Sequence, residues 1–248
     1  MSQYFALDYT GEPFALFGTA HLIYLALVTL AGAAMFFWKP GEKTRRAFRI
    51  GLGVALIVNE LIWHIWNIAV GTWSPQTMLP LHLCAVLVWM MPIMLFTRSY
   101  KLYEFAYFLA LGAATQALLT PDIGIYGFPH MRFFVNNGSH ALMVISACYM
   151  TGVEGFRPTW KSLRKTLIGL FLYAIPVFGI NMLLGSNYMF INHKPETASL
   201  IDVLPPWPWY LLCLMVIAVV VFTLIYLPFA IKDWIANRSS ARAETAQA

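Results

Sequence analysis

The residues best suited to chemistry in this sequence are a cysteine and several histidines set inside apolar stretches. Cys84 closes the run Leu79-Pro80-Leu81-His82-Leu83-Cys84. A thiol attacks as its thiolate, so it needs a base within reach and some exclusion of water. His140 and His64 are the two candidate bases at matching depth, and Glu60, Asn59 or Asn136 could orient whichever serves. Glu60 and His64 are four positions apart and share one helix face. Asn67 extends that stripe, and Asn136 and His140 repeat the spacing. Pro80 suits a first helical turn, which sets Cys84 near a helix N-terminus, where the dipole favours a thiolate. His82 is only two positions from Cys84. On a helix the two point to nearly opposite sides and do not share one cavity centre. Cys148 and Cys213 lie in purely apolar surroundings and read as packing. Three cysteines without a pairing motif do not form a disulfide framework.

Further polar residues are candidate substrate contacts. Arg132 and Lys194 suit a phosphate, with His82, Gln116 and Asn181 as other contacts along the same path. A zinc site is the rival chemistry, because His64, His82, His140 and Glu60 supply enough ligands. The sequence has no HxxxH pair and its last apolar segment has no histidine, so no metal or other cofactor is expected. Proton-coupled transport is another rival, since an acid and a histidine inside a membrane span serve it well.

The elements that must position these residues follow from composition. Of the 248 residues, 60% are hydrophobic and 11% charged. A soluble domain carries about 25% charged residues, so a water-soluble fold is excluded. Long apolar blocks, rather than alternation, exclude an outer-membrane barrel. The expected fold is all-α: one domain over 1–236 with seven transmembrane helices, at about 15–37, 48–70, 78–97, 103–120, 133–153, 166–185 and 209–231. A small polar tail, 237–248, is expected to be disordered. Each span of twenty-odd residues covers about 30 Å, one hydrocarbon thickness. Met1 to Pro13 lacks a basic n-region and is not expected to be a standard signal peptide.

Fourteen of the sixteen Lys and Arg residues fall in loops on one side of these spans. Only Arg132 and Lys194 fall on the other. The positive-inside rule then puts the N-terminus outside and the C-terminus, with its tail, in the cytoplasm. The net charge of +5 is a topology signal, and no aromatic-basic motif points to nucleic acid. With that orientation the polar residues within spans lie at mid-depth or in the outer half. The inner halves read as almost wholly apolar and offer no relay path across the bilayer. A cavity opening to the outer leaflet accounts for such a bias, because polar groups inside a membrane are costly.

The motifs also resemble a family. Leu79-Pro80-Leu81-His82-Leu83-Cys84, Thr120-Pro121-Asp122, Gly127-Phe128-Pro129-His130-Met131-Arg132-Phe133-Phe134, His140, Asn187-Tyr188-Met189-Phe190, Lys194-Pro195 and Pro206-Trp207-Pro208-Trp209-Tyr210 are similar to the bacterial YwaF-like integral membrane proteins over nearly the whole chain. That family is related to a eukaryotic transmembrane acyltransferase that moves polyunsaturated acyl chains onto ether phospholipids. A cysteine and a downstream histidine are taken to be nucleophile and base in that relative. The resemblance implies that Cys84 is a nucleophile and His140 its base, with a membrane phospholipid or acyl-lipid as substrate. It also implies a place in the bacterial cytoplasmic membrane. The expected function is a lipid acyltransferase or lipid thioester hydrolase. The alternatives are a proton-coupled transporter and a lipid-binding subunit without catalysis.

Overall fold

The computed structural model describes residues 3–195 and 200–247. Among them there is no strand, and seven long helices follow in order. These are α1 (Thr19–Phe37), α2 (Glu42–Ala69), α3 (Leu83–Thr97), α4 (Tyr100–Leu119), α5 (Met131–Gly152), α6 (Trp160–Leu184) and α7 (Trp209–Gln247). Helices α1, α2, α4, α6 and α7 are long and apolar enough to cross a membrane. Helix α3 is apolar but has 15 residues, a rise of about 22 Å. Helix α5 has the length at 22 residues, but Asn136, Asn137, Ser139 and His140 lower its hydropathy.

Local sequence sets several boundaries. Thr159 and Ser162 form a reciprocal capping box at the start of α6, and Gly185 ends it at φ 64°, a conformation glycine adopts without cost. The last helix continues through the tail expected to be disordered, as far as Gln247. Ala, Arg, Glu and Gln dominate that stretch and are good helix formers. Ala248 lies outside the described residues.

The interior is built on α5, which packs against α1, α2, α3 and α4. Leu87, Met91 and Leu95 of α3, Tyr103 and Phe108 of α4, and Met143 and Tyr149 of α5 are fully enclosed. Between helices in lipid, close packing replaces the hydrophobic drive, so small residues mark tight contacts. Gly152 is one. A Cβ there would collide with the Met35 carbonyl of α1.

The expectation of apolar inner halves is corrected at the end of the bundle where α2 and α6 begin, here called the basic end. The Glu154 carboxylate is enclosed by Arg45, Arg49 and Arg98, at Nε distances of 3.8, 3.6 and 2.9 Å. The Tyr149 hydroxyl donates to it at 2.8 Å. Glu104, also buried, takes Lys165 Nζ at 2.8 Å and the Ser162 hydroxyl at 2.8 Å. Neither acid stood out in the sequence. Glu104 had a signal, as a carboxylate inside an expected span. Glu154 lies just past α5 and reads as an ordinary loop charge.

Candidate functional site

A cavity of ≈ 220 Å³ lies at the opposite end, between α2, α3 and α5. Helix α2 lends Asn59, Glu60 and Trp63. The start of α3 lends His82, Cys84, Ala85 and Val88. Helix α5 lends Arg132, Val135, Asn136, Ser139, His140 and Met143, and the loop before it lends Asp122. The candidates Cys84, His140, Glu60, Asn59, Asn136, Arg132 and His82 therefore meet in one place. Trp63, Ser139 and Asp122 join them without having been singled out.

Cys84 is the second residue of α3. The helix begins at Leu83, later than expected, because tyrosine hydroxyls engage the backbone ahead of it. Tyr188 accepts from the Leu79 N–H at 2.9 Å and donates to the Pro75 carbonyl at 2.6 Å. Tyr173 donates to the Leu81 carbonyl at 3.0 Å. His82 is consequently the N-cap, in extended conformation at φ −67°, ψ 148°. The expectation that His82 and Cys84 face opposite sides is corrected here. It assumed a helix at 82, and off the helix both line the cavity.

His140 comes from the middle of α5. Its Nδ1 is 2.7 Å from the Asn136 carbonyl. A carbonyl only accepts, so Nδ1 carries a proton, and in the neutral ring Nε2 holds the lone pair. Nε2 has no hydrogen-bond partner among the described residues. Asn136 also lines the cavity, and its side-chain Nδ2 is buried without a partner. Asn59 donates from Nδ2 to the Val135 carbonyl at 3.0 Å, tying α2 to α5. A Cβ at Gly138 would lie 3.0 Å from Asn59 Oδ1, so that approach uses the missing side chain.

His64 does not line the cavity. It stands behind Glu60, with Nε2 3.2 Å from Glu60 Oε1. Its Nδ1 accepts from the Trp73 indole N–H at 3.0 Å. An indole only donates, so His64 is neutral with its proton on Nε2, which donates to Glu60. Asn67 is used at the end of α2. It donates to the Trp63 carbonyl at 2.8 Å and accepts from Thr72 Oγ1 at 2.8 Å.

The Arg132 guanidinium lies over Tyr126, Trp63 and Trp66, at 4.4, 5.2 and 6.0 Å from the ring centroids. Ring faces attract a cation without neutralising it. Arg132 Nε is buried with no hydrogen-bond partner. His130 caps α5 by accepting from the Arg132 backbone N–H at 3.1 Å. Its Nε2 donates to the Ala6 carbonyl at 3.0 Å. Burial pushes the His130 pKa down, the bond to the Ala6 carbonyl opposes this in part, and the Arg132 charge adds a smaller downward push.

Three candidates lie away from the cavity and make other bonds. Gln116 donates to Thr120 Oγ1 at 3.0 Å at the end of α4. Asn181 organises the turn after α6. It donates to the Tyr188 carbonyl at 3.0 Å and accepts from the Tyr188 N–H at 2.8 Å. Lys194 Nζ donates to the Asp202 and Leu204 carbonyls at 3.2 and 2.7 Å, holding the following loop. Among the described residues, no three His, Cys, Asp or Glu side chains are grouped to hold a metal ion.

Helices long enough to span a bilayer, around a polar cavity that holds a cysteine and a histidine, define a multi-pass membrane protein with an internal site. The model of the TMEM164 family matches residues 16–226, and the chain belongs to that family. Among curated proteins and solved structures, none matches the chain.

Proposed function

We propose that the protein is a lipid acyltransferase, or a lipid hydrolase working through a thioester, in which Cys84 is the nucleophile and His140 the base. One observation carries the reading: Cys84 lines the same cavity as a histidine whose Nδ1 is bonded to the Asn136 carbonyl, which makes Nε2 the basic nitrogen of the neutral ring. Cys84 gives its thiol proton to His140 Nε2, and the sulfur attacks the acyl carbonyl. As the ester C–O bond breaks, the leaving oxygen takes the proton back from His140. The acyl chain is then held as a thioester. An acceptor hydroxyl, or water, gives a proton to His140 and releases the chain by the reverse steps. Asn136 Nδ2 is a donor for the oxyanion.

The substrate is a membrane phospholipid or acyl-lipid. A cavity of ≈ 220 Å³ takes the reacting ester and part of a headgroup, while the acyl chains stay among the exposed apolar side chains of the helices. Arg132 meets the phosphate. Lys194, bonded into its own loop, supports that loop rather than the headgroup. Glu60 is held in place by His64, and through it by Trp73.

The finer topology belongs to the same reading. Helices α3 and α5 complete seven spans, with the basic end in the cytoplasm and the cavity facing the outer leaflet. In this reading the chain is a YwaF-like protein of the bacterial cytoplasmic membrane, and the cysteine and histidine of that family's eukaryotic acyltransferase relative correspond to Cys84 and His140. The test is turnover in proteoliposomes carrying a phospholipid with a labelled acyl chain. Cys84→Ala is expected to stop release and transfer while the protein still folds. Full turnover in that variant would contradict the covalent route.

The bond between His64 and Glu60 at the cavity favours one second reading, proton-coupled transport. It predicts that Glu60→Gln blocks flux and that Cys84→Ala is silent.

A further inference from the structure

The cavity contains two histidines held in opposite tautomers. His140 donates from Nδ1 to the Asn136 carbonyl, so Nε2 is the lone-pair nitrogen of its neutral ring. His82 is the reverse. The Met189 backbone N–H donates to His82 Nδ1 at 3.2 Å. A ring nitrogen that accepts carries no proton, so His82 is neutral with its proton on Nε2. That N–H has no acceptor among the described residues, on a residue that lines the cavity two positions before Cys84.

The surroundings of His82 hold it in this state. Its ring meets those of Tyr188 and Phe190, each at 5.2 Å between centroids. Met189 and Phe190 have φ of 60° and 53°, the left-handed region that favours glycine. Non-glycine residues stay there only where neighbours impose it. The Tyr210 hydroxyl fixes this turn by donating to the Phe190 carbonyl. The turn aims the Met189 N–H at His82. In addition, no side chain caps the N-terminus of α3. Its first-turn N–H groups, including that of Cys84, therefore have no side-chain partner.

Resting on the acyl-transfer reading above, we propose that His82 is a further catalytic residue, whose Nε2–H holds the oxyanion formed when Cys84 attacks the acyl carbonyl. The sulfur–carbon bond forms, and the carbonyl π pair moves onto oxygen. That oxygen is met by His82 Nε2–H and by the first amides of α3. The pair returns as the ester C–O bond breaks, and His140 protonates the departing oxygen. One histidine thus accepts a proton while the other only donates a hydrogen bond. His82 keeps its own proton throughout.

The experiment follows acylation of the purified full-length protein by intact mass. The substrate is vesicles of phosphatidylethanolamine and phosphatidylglycerol. Wild type, His82→Leu and His82→Gln are compared. His82→Leu is expected to slow appearance of the hydroxylamine-labile adduct by about 10²- to 10³-fold, the usual loss for one oxyanion donor. His82→Gln retains an N–H donor and is expected to lose less. An adduct forming at the wild-type rate in His82→Leu overturns the proposal and leaves the thioester reading intact. No adduct in wild type removes the thioester reading, and this one with it. If the leucine variant does not fold, ¹⁵N spectra of histidine-labelled wild type decide. Opposite tautomers at His82 and His140 are expected, and one shared tautomer overturns the assignment.

Discussion

The two ends of the bundle treat buried polar groups differently. At the basic end, Glu154 is surrounded by three arginines and Glu104 is bonded to Lys165 and Ser162. Each carboxylate there has cations against it. At the other end, Nε2 of His82 and of His140 makes no hydrogen bond among the described residues, and the Asn136 Nδ2 is buried without a partner, all around one cavity. A buried polar group without a partner is costly. The basic end has such atoms too, Arg49 Nε and Nη1 and Glu154 Oε2, but there opposite charges face one another, whereas at the cavity they face open space. The basic end ties helices together through charge pairs, and the cavity end is where the proposed chemistry would take place.

Substitutions at the two ends should separate these roles. The largest effect is expected at Cys84. Cys84→Ala should reduce acyl turnover to background with little change in unfolding midpoint. His140→Gln should lower turnover by about 10²- to 10⁴-fold, the range for a general base. Both are read in the proteoliposome assay. At the basic end the pattern inverts. Glu154→Gln leaves Arg49 and Arg98 without a countercharge, while Arg45 keeps Glu42, and should cost up to roughly 3–5 kcal/mol of stability, measured by denaturant unfolding in detergent. Turnover per folded molecule should stay near wild type. Equal loss of activity and stability in that variant would break the comparison.

A smaller effect is expected at Gly138. Gly138→Ala presses on Asn59 Oδ1 and should shift α2 by a few tenths of an ångström. Turnover should fall while stability barely moves. The smallest effect concerns pH and His130. Its folded pKa is depressed by burial and Arg132. Its contribution is then fully present above the unfolded value of about 6.5 and is lost as pH falls through the folded value. Unfolding of wild type should ease as pH drops below about 6.5, and His130→Gln should flatten that slope.

Much of the cavity was legible in the sequence because helical spacing fixes faces. Asn136 and His140 fall on one side of α5, and Cys84 comes at the same depth. Three things were not legible. The start of α3 depends on Tyr173 and Tyr188, which come from residues far along the chain, so the placement of His82 was misread. Gln116, Asn181 and Lys194 are polar in the same way as the cavity residues, and only their bonds to Thr120, Tyr188 and two loop carbonyls show where they are used. Glu154 gains meaning only from arginines on α2 and at the end of α3. The polar residues of α5 also lower its hydropathy, so the helix that carries most of the site is not among those apolar enough to cross a membrane.

The most direct measurement is the intact mass of the purified protein after incubation with phospholipid vesicles, for wild type and Cys84→Ser. The account predicts an acyl adduct on wild type that hydroxylamine removes, with no such adduct on the serine variant. An unmodified wild-type protein that still turns over lipid, or a hydroxylamine-labile adduct that persists in Cys84→Ser, would contradict it.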